Sequence, residues 1–131
     1  MDGKIKHTAI VGIGSNIEPD KHISRMLTIL KQETTVLDIS RLMKTKPIGI
    51  ADQPWFVNGA VKLETDLPIA DFRQYLKQVE DRLGRDRSQA KFGPRCIDLD
   101  LVVWDGQVVD DDYYTRDFLK QAAAELGFSE E

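Results

Sequence analysis

The sequence predicts an α+β fold, a ferredoxin-like βαββαβ sandwich with a C-terminal hairpin and short helix, and three observations lead to it. Four short strand-like runs, β-branched or alternating with period two, are present; two runs with apolar spacings of three and four separate them in the order β-α-β-β-α-β; and an Asp105-Gly106 turn follows the last strand. That order is the split βαβ arrangement, whose two helices cover one face of the sheet.

The first strand, His7-Thr8-Ala9-Ile10-Val11-Gly12-Ile13, is apolar enough to be buried on both faces and runs into Gly14-Ser15-Asn16. Glu18, Pro19 and Asp20 open a helix to about Gln32, with Ile23, Met26, Leu27 and Leu30 on its apolar face. Thr35 to Thr45 reads as one strand with Leu37, Ile39 and Met43 on one side, ending at Lys46-Pro47-Ile48-Gly49, and a loop continues through Gln53-Pro54. Phe56 to Thr65 alternates, placing Val57, Gly59, Val61 and Leu63 on one face and Phe56, Asn58, Ala60, Lys62 and Glu64 on the other. Pro68 precedes a second helix built on Ile69, Phe72, Leu76, Val79 and Leu83, with Gly84 as its C-cap. After a loop bearing glycine and arginine, Cys96 to Trp104 alternates Ile97, Leu99, Leu101 and Val103 against Cys96, Asp98, Asp100 and Val102. Gln107-Val108-Val109 completes the hairpin, and Thr115 to Leu126 forms the last helix on Phe118, Leu119, Ala122 and Leu126. With the apolar sets facing the helices, Phe56, Asn58, Asp98 and Asp100 gather on the opposite, open face.

At 131 residues and 14.9 kDa the chain is expected to be one domain, 1–131. Its net charge of −4, with 31% charged and 41% hydrophobic residues, is that of a soluble globular protein and excludes both disorder and a bulk nucleic-acid coat. The longest run without Asp, Glu, Lys or Arg, His7 to Ile17, falls well short of the roughly 18–20 residues that span a bilayer, and no signal-type run follows Met1. One cysteine excludes an internal disulfide. The expected setting is the cytoplasm, as a monomer without membrane or nucleic-acid partners. The charges are nevertheless segregated. Arg82 to Arg95 holds five bases and one acid, and Asp98 to Asp112 holds six aspartates and no base.

Asp98 and Asp100 point the same way on one strand, their Cα atoms about 6.6 Å apart. With carboxylates about 5 Å apart and an effective dielectric near 20, they repel by about 3 kcal/mol. Two accounts fit: hard oxygen ligands for Mg²⁺, or a wet edge paired with nearby arginines. The run from Gly84-Arg85-Asp86-Arg87 to Gly93-Pro94-Arg95 is either a solvated basic loop or, leading into Asp-x-Asp, a polyphosphate clamp beside a metal. Together they point to phosphoryl transfer. Gly12-Ile13-Gly14 lacks the third glycine of a dinucleotide fingerprint, and no phosphate loop ending in Gly-Lys occurs. His7 and His22 read as surface histidines and Cys96 as a small strand residue. Trp55 and Phe56 suit a core or rim as well as a ligand, and the stacking aromatics and basic face of an RNA-recognition module are not evident.

Gly14-Ser15-Asn16, Asp52-Gln53-Pro54-Trp55-Phe56-Val57-Asn58, Leu63-Glu64-Thr65, Glu80 with Leu83-Gly84-Arg85-Asp86-Arg87, and Phe92-Gly93-Pro94-Arg95-Cys96-Ile97-Asp98-Leu99-Asp100 together resemble the 6-hydroxymethyl-7,8-dihydropterin pyrophosphokinase family of the folate pathway, over about residues 8–109. The resemblance implies transfer of pyrophosphate from ATP to the pterin hydroxymethyl, with release of AMP and two Mg²⁺ ions. It makes Asp98 and Asp100 metal ligands and, with Arg85 and Arg95, the catalytic set. It places Glu80, Arg85, Arg87, Lys91, Arg95, Leu101 and Arg116 at the nucleotide, and Thr45, Pro47, Ile48, Phe56, Asn58 and Phe118 around the pterin.

The chain also departs from the family pattern. Lys91-Phe92 replaces a usual Arg-Trp, keeping charge and aromaticity but not the bidentate fork. Asp110-Asp111-Asp112-Tyr113-Tyr114 leads almost at once to Arg116-Asp117-Phe118, where the family has a longer segment with a Pro-His pair, so a C-terminally shortened form that closes less completely is expected. Two readings follow: an active, compact pyrophosphokinase, or a paralogue that binds a pterin or nucleotide without efficient transfer.

Overall fold

The computed structural model describes residues 5–85, 88 and 94–130. Its strands are β1 (His7–Ser15), β2 (Thr35–Ile39), β3 (Met43–Thr45), β4 (Phe56–Thr65), β5 (Asp98–Trp104) and β6 (Gln107–Val108), and its helices α1 (Pro19–Glu33), α2 (Ile69–Arg82), α3 (Asp112–Thr115) and α4 (Asp117–Glu125). The sheet runs β2-β4-β1-β5-β6, with β3 also on β4 and every described pairing antiparallel. This is the expected ferredoxin-like α+β order. On one face α1 and α2 bury Met26, Leu30, Phe72 and Val79 against Val11, Val61 and Leu63. At roughly 1.5–3 kcal/mol per large apolar side chain, this layer is the main source of stability.

The second face is not open along its length. Leu119, Ala122, Ala123 and Leu126 of the C-terminal segment cover Ile10, Ala60 and Val102, making a second core. Alternation had sent Ala60 and Val102 outward because nothing in period two says whether a third layer will cover that face. The C-terminal helix is also two pieces, since Arg116 is extended (φ −121°, ψ 106°) between α3 and α4. Glu125 Oε1 accepts from the Arg41 backbone N–H at 3.0 Å, which ties α4 to the other edge of the sheet.

Bulges displace the predicted faces in two places. On β5 the register passes from Ile10↔Val103 to Val11↔Leu101, so Val102 is an extra residue. Val103 therefore joins the α4 side rather than the α1/α2 side. On β2 the partner step from Val36↔Leu63 to Asp38↔Lys62 skips Leu37, which is left exposed. Val36 and Ile39 then lie on the same face as their partners Leu63 and Val61, while Met43 pairs with Asn58 on the other face. The long strand expected over 35–45 is broken at Ser40, whose buried Oγ accepts the Ala60 N–H at 2.9 Å.

Neither histidine is the free surface residue expected. His22 is buried, with Nδ1 2.6 Å from the Ile17 carbonyl oxygen. His7 stacks on Trp104, and its Nδ1 lies 2.7 Å from Asp105 Oδ2 while Asp105 Oδ1 accepts the Thr8 N–H at 2.9 Å. These partners, His7 foremost, hold the Asp105 carboxyl below the usual carboxylate range. A depressed folded pKa stabilises above the unfolded value and is lost as pH falls through the folded one. Asp105→Asn is accordingly expected to flatten the acid limb of stability below about pH 4. An acid limb in urea titrations as steep as that of the wild type would refute this.

Candidate active site

Helix α2 ends in a Schellman turn: the Gly84 N–H donates to the Asp81 carbonyl and the Arg85 N–H to the Glu80 carbonyl, each at 3.0 Å, with Gly84 at φ +91°. This turn sends the Arg85 side chain back under β5. There the buried Glu80 carboxylate accepts the Leu99 N–H at 2.7 Å and lies 3.2 Å from an Arg85 terminal nitrogen. The same nitrogen donates to Asp98 Oδ1 at 3.1 Å, and Arg95 donates to that oxygen at 3.3 Å. One carboxylate oxygen thus serves two guanidinium groups.

Registers across the centre of the sheet place Asn58, Gly14 and Asp98 in one row, and Ala60, Gly12 and Asp100 in the next. With neighbouring strands about 4.8 Å apart, Asn58 and Asp98 stand about 10 Å apart across the glycine. A Cβ on Gly14 would come within 2.9 Å of Asn58 Oδ1 and 3.9 Å of the Asp98 Cβ. The absent side chain is what leaves a trough between amide and carboxylate. Above it lies a cavity of about 420 Å³, lined by Thr45, Lys46, Ile48, Phe56 and Asn58 on one side and by Arg95, Asp98, Asp100, Asp112, Arg116 and Phe118 on the other.

Asp100 opens into this cavity. Desolvation by its surroundings first, and then the charge and hydrogen bonding of Asp98, push its carboxyl well above the usual range, with Glu80 and Asp110 adding to the shift. Mutual repulsion of this kind is what a divalent cation relieves, and two hard oxygen donors suit one. Among the described residues no group of three metal-ligating side chains forms. A bound ion would complete its shell with water or substrate oxygens, the usual way Mg²⁺ is held.

Several expected residues converge here and several do not. Asp98, Asp100, Arg95, Arg116, Thr45, Ile48, Phe56, Asn58 and Phe118 all line the cavity. Asn58 donates to Thr45 Oγ1 through a short contact that orients both. Pro47 is flanked by lining residues without being one. Glu80 and Arg85 sit behind Asp98, one Glu80 oxygen accepting the Leu99 N–H and one Arg85 terminal nitrogen shared among Glu80, Asp98 and the Ile97 carbonyl. Leu101 belongs to the core under the helices, because it alternates with Asp100 on the strand. Arg87 and Lys91 lie outside the described residues.

Lys46, Asp112 and Asn16 were not foreseen. Asn16 is buried at the end of β1; its Nδ2 donates to Gln53 Oε1 and the Pro54 carbonyl, each at 2.9 Å, and its Oδ1 accepts the Arg95 N–H at 2.8 Å. It ties both walls of the cavity to the central strand. The signal for it in sequence was its place in the Gly14-Ser15-Asn16 motif at the end of an apolar strand, which assigned it no role. Asn16→Ala is expected to cost about 1–3 kcal/mol through the unpaired Arg95 amide. Urea unfolding within 0.5 kcal/mol of the wild type would show, on the same scale of about 1 kcal/mol per bond, that the link contributes little.

Comparison of the sequence with known proteins finds relatives. A family model described as 7,8-dihydro-6-hydroxymethylpterin-pyrophosphokinase matches residues 10–127. A protein of Pseudomonas aeruginosa named 2-amino-4-hydroxy-6-hydroxymethyldihydropteridine pyrophosphokinase is 38% identical over 103 residues, which are 76% of this chain and 63% of that protein. The Bacillus subtilis protein of the same name is 30% identical over 109 residues, 81% of this chain and 65% of its own length. A folic acid synthesis protein of Schizosaccharomyces pombe is 36% identical over 110 residues, which are 82% of this chain and 15% of that protein. The chain therefore spans just under two thirds of the length of these two bacterial relatives.

Proposed function

Because the chain belongs to the 6-hydroxymethyl-7,8-dihydropterin pyrophosphokinase family, we propose that it transfers pyrophosphate from ATP to the pterin hydroxymethyl, giving the pterin diphosphate and AMP in folate biosynthesis. The observation that carries this reading is the single trough, across Gly14, that sets an amide and aromatic wall facing a carboxylate pair and two arginines. The pterin lies between Thr45, Phe56 and Asn58 on one wall and Phe118 on the other, its ring between the two aromatic side chains and its polar edge on the Asn58 amide. Its hydroxymethyl then points along the Gly14 row toward Asp98. Arg95 and Arg116 take phosphate oxygens from the opposite side.

Asp98 and Asp100 would hold Mg²⁺, two ions on the family pattern, which when bound supplies charge neutralisation for the triphosphate and a lowered pKa for the attacking hydroxyl. The residues contribute position. The hydroxyl oxygen forms a bond to the β-phosphorus in line with the leaving AMP oxygen, and the hydroxyl proton passes to solvent. Asp98 has a second task. Its Oδ1 accepts from both Arg85 and Arg95, and a cation held by Asp98 would weaken its hold on Arg95, which lines the cavity and would then serve the nucleotide.

Incubating the purified chain with MgATP and 6-hydroxymethyl-7,8-dihydropterin, and following AMP, tests the proposal. Pterin-dependent AMP release is the expected result. Binding of both ligands without AMP would overturn the transfer reading and leave a binding module. No described helix is long and apolar enough to cross a membrane.

A further inference from the structure

The lining of the cavity carries three bases, Lys46, Arg95 and Arg116, against three acids, Asp98, Asp100 and Asp112. Asp98 and Asp100 come from β5 and are accounted for by the cation reading, but Asp112 comes from α3 and is not. Its Oδ2 lies 3.5 Å from Arg116 Nε, one helical turn away. Both backbones are anchored. Asp110 Oδ1 accepts the Asp112 N–H at 2.9 Å, the neighbouring Tyr113 is buried against Phe128, and the Arg116 carbonyl accepts the Leu119 N–H at 3.0 Å. The pair is thus held at the cavity wall by the second core. At 3.5 Å the contact neutralises Arg116 without the short geometry of a strong charge-assisted hydrogen bond.

We propose that Asp112 is an internal competitor for the Arg116 guanidinium, so that a nucleotide enters by replacing this carboxylate with a phosphate, and that Asp112 thereby sets the phosphate charge the site demands. The inference rests on the proposed function and names the specificity of its nucleotide half. Arg95 shares Asp98 with the proposed cation, whereas Arg116 is paired with a carboxylate outside the Asp98 and Asp100 pair. Only an anion that outcompetes a carboxylate engages Arg116, which favours a polyphosphate over a monophosphate. Tight nucleotide binding is thereby traded for discrimination and for easier release of AMP.

The test is calorimetric titration of MgATP into the wild type, Asp112→Asn, Arg116→Ala and the double variant, with thermal melts to confirm folding and Asp112→Ser as a second variant if Asn unfolds. Asp112→Asn is expected to bind MgATP roughly three- to tenfold more tightly, the range of a partly exposed ion pair plus one removed negative charge. AMP should gain less than about twofold and 6-hydroxymethylpterin should be unchanged. The gain should vanish when Arg116 is also Ala. Weaker or equal binding by Asp112→Asn overturns the proposal, as does a gain that persists without Arg116. Wild type that binds pterin but no MgATP overturns the functional reading, and this inference with it; wild type that binds both, with no gain in the variant, overturns this inference alone.

Discussion

Replacing Asp100 with Asn is expected to abolish pterin-dependent AMP release while raising the resistance of the cation-free chain to urea. Loss of a carboxylate that holds a catalytic cation removes several kcal/mol of transition-state stabilisation, and about 4 kcal/mol is already a thousandfold in rate. Stability moves the other way because burial first, and then the charge of Asp98, oppose ionisation of Asp100 and push its carboxyl up to about 8. A carboxyl whose folded pKa is raised binds its proton more tightly in the folded state, so it costs stability as pH rises from the unfolded pKa to the folded one. An amide of the same shape escapes that cost. At Asp98 the loss of turnover should be equally deep, but without a gain in stability, since Asp98 Oδ1 is the shared acceptor for Arg85 and Arg95. Near-normal turnover in both variants would remove the cation assignment, and a destabilised Asp100→Asn would contradict the repulsion argument.

Glu80→Leu is expected to be among the most destabilising single substitutions in the chain, by about 3–5 kcal/mol, because it strips a buried charge pair of one partner. The carboxylate joins three things at once: helix α2 that carries it, the Leu99 N–H at the start of β5, and the Arg85 guanidinium under Asp98. Against a total of about 5–15 kcal/mol, such a loss leaves little. Glu80→Gln should cost less, since an amide oxygen still accepts from Leu99, although its NH₂ is a poor neighbour for Arg85. Urea midpoints of the two variants separate the effects. If Glu80→Leu unfolds within about 1 kcal/mol of the wild type, no more than the mean cost of any point substitution, then water has entered behind β5 and the buried pair is not the keystone described.

The element order, both long helices and the faces of β1, β4 and β5 from Asp98 to Leu101 were legible because each depends on local periodicity, whereas Cys96, expected beside Asp98, packs in the core under the helices. His7 to Ser15, Phe56 to Thr65 and the run from Ile69 fall where their apolar spacing puts them. Reading failed wherever one residue outside the pattern decided the outcome. Val102 and Leu37 are bulged, and each bulge turns the following side chains to the other face, as a slip of one residue must when side chains alternate. The same limit hid Asn16, whose partners are Gln53, Pro54 and Arg95, 37 to 79 positions away.

By itself, the sequence determined the fold class, the carboxylate pair with its arginines and the family, since these are carried by spacing within a strand, a helix or a contiguous motif. Tertiary structure alone decided which groups remain available to a ligand. Charged side chains that look alike in sequence, Glu80 and Asp112, Arg85 and Arg95, receive different work because burial makes an unpaired charge costly and so commits each buried one to a partner. Glu80 and Arg85 were taken into the support of β5, Arg95 and Arg116 were left lining the cavity, and α4 covered part of the face that alternation had left open.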